Sequence, residues 1–201
     1  LFYVPSYQRG YRWGKEEVTR LLDDVLQNGK KNYCLQPIVV RKRGDAFELI
    51  DGQQRLTSIY VGLKGSYAYK MPRKWWNDDQ ISLPTRYLYL DISAPLPEGT
   101  EEKLKYNFAF KTPDEANNQT DHIWFKVGDI LAFTKLFDLQ KFISSQSWSS
   151  NEFACETLYT LRQRVFEDKT INYYNETNQD IDNVLDIFIR TFHQFYRYFC
   201  V

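Results

Sequence analysis

The chain has 201 residues, no formal net charge at neutral pH, 43% hydrophobic and 17% aromatic residues. That content supplies a substantial core and excludes an intrinsically disordered chain, while the balanced charge excludes a uniformly basic, DNA-coating surface. Charge is nevertheless uneven: residues 1–65 hold eleven Lys and Arg against seven Asp and Glu, a balance of +4, and the remainder carries −4.

Cys34, Cys155 and Cys200 are odd in number and form no C-x-x-C pair, which points to a reduced, cytoplasmic compartment rather than a disulfide framework. His122 and His193 are the only histidines, so neither a zinc site nor a His-based nuclease centre is readable. No apolar run approaches the length of about eighteen residues that a membrane span needs, and no signal-like start is present.

The first informative segment is Pro5-Ser6-Tyr7-Gln8-Arg9-Gly10-Tyr11-Arg12-Trp13. It crowds arginine, aromatics and glutamine together without apolar periodicity. Arginine makes bidentate contacts to phosphate, and Tyr or Trp stacks on a ring while keeping a polar tip. The plainer reading makes Tyr7, Tyr11 and Trp13 core anchors beside surface arginines.

Lys15 to Asn28 sets Val18, Leu21, Leu22, Val25 and Leu26 at helical spacing, with Gly29 placed to end the helix. Pro37 to Val40 and Ala46 to Ile50 read as strands joined by a turn at Arg43-Gly44-Asp45. Leu49-Ile50-Asp51-Gly52-Gln53-Gln54-Arg55-Leu56-Thr57-Ser58 then reads as a strand end, a glycine turn and the start of a helix that continues to Leu63 and stops near Gly65. Such a corner directs backbone N–H groups and the positive helix end at an anion, and Arg55 adds a full charge. Alternatively Asp51 is an N-cap, with Gln54 closing a capping box.

Tyr67 to Lys70 and Arg73 to Trp76 form a basic-aromatic patch, in which Lys74, Trp75 and Trp76 are candidates for DNA or base contact or for covering a domain edge. Arg86 to Ile92, Lys105 to Lys111 and Ile123 to Val127 read as strands extending the sheet. Pro95 to Thr100 and Asp114 to Asp121 read as loops. Val127 to Ile143 and Asn151 to Phe166 read as helices around a linker at Ser144 to Ser150, Thr170 to Tyr174 as a short strand, and Ile181 to Phe199 as an aromatic-rich helix fit for core or dimer contacts.

The order and spacing of Pro5-x-Tyr7-Gln8-Arg9-x-Tyr11-x-Trp13 and Ile50-Asp51-Gly52-Gln53-Gln54-Arg55-Leu56-Thr57 resemble the N-terminal domain of GmrSD-type restriction endonucleases, a family related to the ParB and sulfiredoxin fold. The match is clearest over residues 1–65. Trp124 to Leu131 and Val184 to Thr191 extend it more weakly. The resemblance implies an α+β fold, with a ParB/sulfiredoxin-like unit holding a small mixed sheet over residues 1–125 and a mainly helical region over 126–201. The chain is expected to be a fragment of a longer protein.

The resemblance further implies nucleoside triphosphate (NTP) binding and hydrolysis, with Mg²⁺, coupled to defence against foreign and often modified DNA. Cutting would fall to a separate HNH-type nuclease domain or partner subunit. By match of position, Asp51, Gln53, Gln54 and Arg55 inherit the catalytic role, with Asp51 as the metal ligand. Tyr7, Gln8, Arg9, Arg12, Gly52 and Thr57 are the expected nucleotide and phosphate contacts.

Two departures qualify this. The family's late Ile-Phe-x-Arg segment is normally followed by Asn and a glycine-rich turn, whereas Arg190-Thr191 runs straight into Phe192-His193. Either this loop is lacking or unseen residues have been joined across a gap, and no role carries over to Arg190. The corner also has Gln53-Gln54 where sulfiredoxins hold their cysteine, which excludes thiol reductase chemistry. Three rivals to an NTPase stay open: a DNA-binding module without catalysis, a ParB-like nuclease with a metal on Asp51, and an assembly domain.

Overall fold

Strand pairing divides the chain. The computed structural model describes residues 2–6, 8–28, 35–68, 83–97, 104–118 and 121–176. They belong to two compact units, one from Leu1–Arg9, Gln36–Gln53 and Asn172–Val201, the other from Gly10–Leu35 and Gln54–Ile171. Helices and small sheets together make an α+β protein. Tyr7, Lys74, Trp75, Trp76 and the helix expected over Ile181–Phe199 lie outside the described residues. No helix of the described residues is long and apolar enough to cross a membrane.

The first unit is a four-stranded mixed sheet in the order β1-β3-β2-β7, with β1 Phe2–Tyr3, β2 Ile38–Arg43, β3 Ala46–Asp51 and β7 Tyr173–Glu176. β2 and β3 form the antiparallel hairpin expected from their alternation, turning through Gly44 at φ +58°. β1 and β7 add parallel edges. Val40 and Leu49 are fully buried. Arg41 and Glu48 sit opposite each other in the register and are buried as an ion pair, Arg41 Nη2 lying 2.6 Å from Glu48 Oε2. β7 begins at Tyr173, a few residues later than the strand expected from Thr170.

The second unit packs helices on one face of a three-stranded antiparallel sheet. Its strands are β4 Tyr87–Asp91, β5 Asn107–Lys111 and β6 Trp124–Lys126, in the order β5-β4-β6. These strands were expected to extend the first sheet and instead make one of their own. The physical reason is that β4 uses both its edges, pairing with β5 on one side and β6 on the other. Leu88, Leu90, Phe108, Phe110 and Phe125 then point to one core. Against them pack α1 Lys15–Asn28, through Val18 and Leu26, and α5 Glu152–Phe166, through Ala154, Leu158 and Leu161. Asp23 of α1 is buried and accepts the backbone N–H groups of Tyr106 at 2.7 Å and Lys105 at 3.1 Å, fixing α1 to the approach of β5. Asn151 caps α5 by accepting from Ala154 N–H, and its amide donates to the Ser93 carbonyl after β4.

Two further expectations are corrected. Asp114 to Asp121 is not wholly loop, because α3 Pro113–Asn117 forms there with a complete capping box between Thr112 and Glu115 and proline at its start. Val127 to Ile143 is not one helix. A 3₁₀ turn spans Val127–Ala132, Phe133 leaves helical geometry at φ −99°, ψ 58°, and α4 begins only at Leu136–Ser144. The cause is Arg162, whose guanidinium donates to the carbonyls of Phe133 and Thr134 and takes the place of helical N–H partners.

β4 ends on a buried carboxylate whose ionisation supports the fold. Asp91 accepts from Ser93 N–H and Ser93 Oγ, and His122 Nδ1 lies 2.5 Å from its Oδ2. Burial alone would raise this carboxyl, but the Ser93 hydrogen bonds and the His122 ring outweigh it and hold it below its ordinary value. A carboxyl depressed in the folded state contributes stability above its unfolded pKa of about 3.9, and loses it as pH falls through the folded value. We expect Asp91→Asn to cost about 2 kcal/mol at neutral pH and to flatten the fall of the urea midpoint below about pH 4. The same acid slope in both proteins contradicts this account.

Candidate phosphate site at the strand-to-helix corner

β3 ends at Asp51, Gly52 turns the chain, and α2 runs over Gln53–Leu63. Gly52 has φ +91°, and a Cβ there would stand 2.4 Å from Ile38 Cγ2 on β2. Backbone conformation and space both demand glycine at this position. Only Gly52 separates the last residue of β3 from the first residue of α2. The first N–H groups of a helix have no carbonyl partner within it, so this turn presents donors and a positive dipole end.

Side-chain charge follows an unusual choice. No acidic residue stands in the first turn of α2, although acids are favoured there. Arg55 stands there instead, half-buried, adding positive charge to the positive helix end. A local rule broken in this direction is what an anion site requires. Asp51, Gln53 and Thr57 are also half-buried around the turn.

The Pro5–Trp13 segment meets the corner segment once within each unit. In the first unit, Gln8 Nε2 donates to the Leu49 carbonyl at 2.8 Å and the Ile50 carbonyl at 2.7 Å. These are the last carbonyls before Asp51. In the second unit, buried Gln54 accepts from Arg12 N–H at 2.8 Å and Trp13 N–H at 3.2 Å, and donates to the Gly10 carbonyl at 3.3 Å. Ser58 Oγ donates to the Gln54 carbonyl at 2.7 Å, which leaves Tyr11 as donor in the 2.9 Å contact between its hydroxyl and Ser58. Burial raises the Tyr11 phenol.

These contacts sort the expected site residues. Gln54 is not half of a capping box with Asp51, because its amide clasps the Gly10–Trp13 backbone. Tyr11 follows the plainer reading and packs against the core of the second unit. Gln8 and Gln54 hold backbone in place, while Arg9 and Arg12 stand exposed. Ser58 and Ile38, which the sequence reading did not single out, complete the arrangement. Ser58 could have been found as a polar residue on the inward face of the Leu56 to Leu63 helix.

Among the described residues, no group of three or more His, Cys, Asp or Glu could hold a metal ion. A Mg²⁺ ion carried on phosphates needs only one or two protein carboxylates.

No curated protein matches the chain. A family model does, that of the GmrSD restriction endonuclease N-terminal domain, over residues 1–191. The match takes in the Pro5–Trp13 segment, the glycine corner and both units described here. The chain belongs to the GmrSD restriction endonuclease N-terminal domain family.

Proposed function

We propose that the β3–α2 corner binds the phosphates of a nucleoside triphosphate and hydrolyses it, as the regulatory step of a DNA-restriction protein whose nuclease centre lies elsewhere. The observation that carries this reading is Arg55 in the first turn of α2, directly after a glycine whose geometry admits no side chain. Backbone N–H groups from Gly52 onward donate to phosphate oxygens, and Arg55 neutralises charge on the transferred phosphoryl group. Asp51 would hold the Mg²⁺ that enters with the nucleotide, which would supply further charge neutralisation. Gln53 orients the attacking water. Gln54 is a positioning residue acting through the Arg12 and Trp13 backbone, and Gln8 does the same through β3. Arg9 and Arg12 supply further cations.

Arg55→Ala is expected to weaken Mg·NTP affinity by about 2 kcal/mol, roughly thirtyfold, with thermal stability unchanged. Equilibrium titration alongside thermal melting checks it. A folded Arg55→Ala protein that binds nucleotide like the wild type overturns the assignment.

A further inference from the structure

The inward face of α2 begins with polar groups. Gln54, Ser58 and Gly62 are its buried positions, and Ser58 has no contact with solvent. Residues at this four-residue spacing share one face of a helix. That face looks into an apolar core, since a Cβ added to Gly62 would meet Leu22 and Leu88. The Tyr11 ring packs against the same core. Its hydroxyl donates to Ser58 Oγ at 2.9 Å, and Ser58 Oγ donates to the Gln54 carbonyl at 2.7 Å.

The Gly10–Trp13 segment is thereby tied to α2 at two points. The Gln54 amide holds Gly10, Arg12 and Trp13 by their backbone groups. Ser58, one turn further on, holds Tyr11 by its hydroxyl. A helix tied at one point can pivot about it, and a second tie one turn away sets its angle. Arg55 follows Gln54 by one residue, about 100° round the helix, so these two ties also set the direction in which its side chain leaves.

Stability gives no reason for the two hydroxyls. Phenylalanine at 11 and alanine at 58 would occupy nearly the same space with nothing polar left to satisfy. Exchanging both partners of a buried hydrogen bond for apolar groups of like shape can be nearly neutral. We infer that Tyr11 and Ser58 are positioning residues of the phosphate site, holding the first turn of α2 through the Gln54 carbonyl so that Arg55 meets the phosphates, a role that rests on nucleotide binding at the corner. Neither hydroxyl touches the ligand.

The test combines thermal melting with titration of ATP, GTP, CTP and UTP in the presence of Mg²⁺, at a temperature where each protein is folded. Tyr11→Phe/Ser58→Ala is expected to melt close to the wild type and to bind Mg·NTP about fivefold more weakly. Tyr11→Phe alone keeps the bond from Ser58 to Gln54 and should weaken binding about twofold. Tyr106→Phe removes a hydroxyl elsewhere in the same core and should leave affinity unchanged.

A folded double variant that binds like the wild type overturns the inference, whatever its melting temperature, because a purely structural pair changes stability and not the affinity of the folded protein. An equal loss of affinity in Tyr106→Phe overturns it as well. Should the double variant not fold, Tyr11→Phe decides, and wild-type affinity there overturns the inference. A wild type that binds none of the four nucleotides overturns the reading of the corner itself and the positioning role with it. Failure of the corner and failure of the Tyr11–Ser58 pair are therefore read separately.

Discussion

Gly52→Ala is expected to destabilise the protein by about 3 kcal/mol and to abolish nucleotide binding. Two costs combine. An alanine at φ +91° carries the left-handed penalty of roughly 1–2 kcal/mol. Its Cβ would also meet Ile38 Cγ2 at 2.4 Å, an overpacking that costs about 1–3 kcal/mol when β2 and β3 must separate to relieve it. Gly44 is the internal control. It too has positive φ, at +58°, but a Cβ there meets nothing within 4 Å. Gly44→Ala should cost about 1 kcal/mol only. Ile38→Ala removes the methyl that collides, so it should recover part of the Gly52→Ala loss in a double-mutant cycle. Urea unfolding of the wild type and the four variants measures each quantity. Equal losses at Gly52 and Gly44 would show that Ile38 does not constrain the turn.

What the sequence made legible here was local. Val18, Leu21, Leu22, Val25 and Leu26 announce α1, and the Arg43-Gly44-Asp45 turn announces the β2–β3 hairpin, because each signal is complete within a few residues. The Asp51-Gly52 corner was legible for the same reason. Pairing across long separations was not. β4 satisfies both its edges with β5 and β6, and nothing within Tyr87–Asp91 says which strands will take them. The 3₁₀ turn at Val127–Ala132 ends because Arg162, nearly thirty residues onward, takes the Phe133 and Thr134 carbonyls. Thr112-Pro113-Asp114-Glu115 did hold a readable helix start, masked by the polar composition around it. The site divides similarly. Arg55 and Gly52 stood out by type and position, whereas the work of Gln54 depends on backbone 42 residues earlier.

That work makes Gln54→Leu the second large effect. Leucine keeps the volume and removes the acceptor of Arg12 and Trp13 N–H and the donor to Gly10 O. Part-buried backbone groups left without partners cost about 1–3 kcal/mol each, so a total near 3 kcal/mol is expected after partial rehydration. Gln54→Glu retains the acceptor for both N–H groups and loses only the bond to Gly10, and should cost about 1 kcal/mol. The split separates a clasp from a water-orienting group. A clasp loses stability and nucleotide affinity together in Gln54→Leu and keeps most of both in Gln54→Glu. Wild-type stability in folded Gln54→Leu, with phosphate release lost, would instead place Gln54 on the reacting water.

The central claim is that the corner holds a triphosphate, and equilibrium binding of ATP, GTP, CTP and UTP to the wild-type chain tests it most directly. The titrations are run with and without Mg²⁺, with phosphate release read from the same samples. The expected result is saturable binding of at least one nucleotide, tightened by Mg²⁺ through Asp51 and lost in Asp51→Ala/Arg55→Ala. A folded wild-type protein that binds none of the four contradicts the claim.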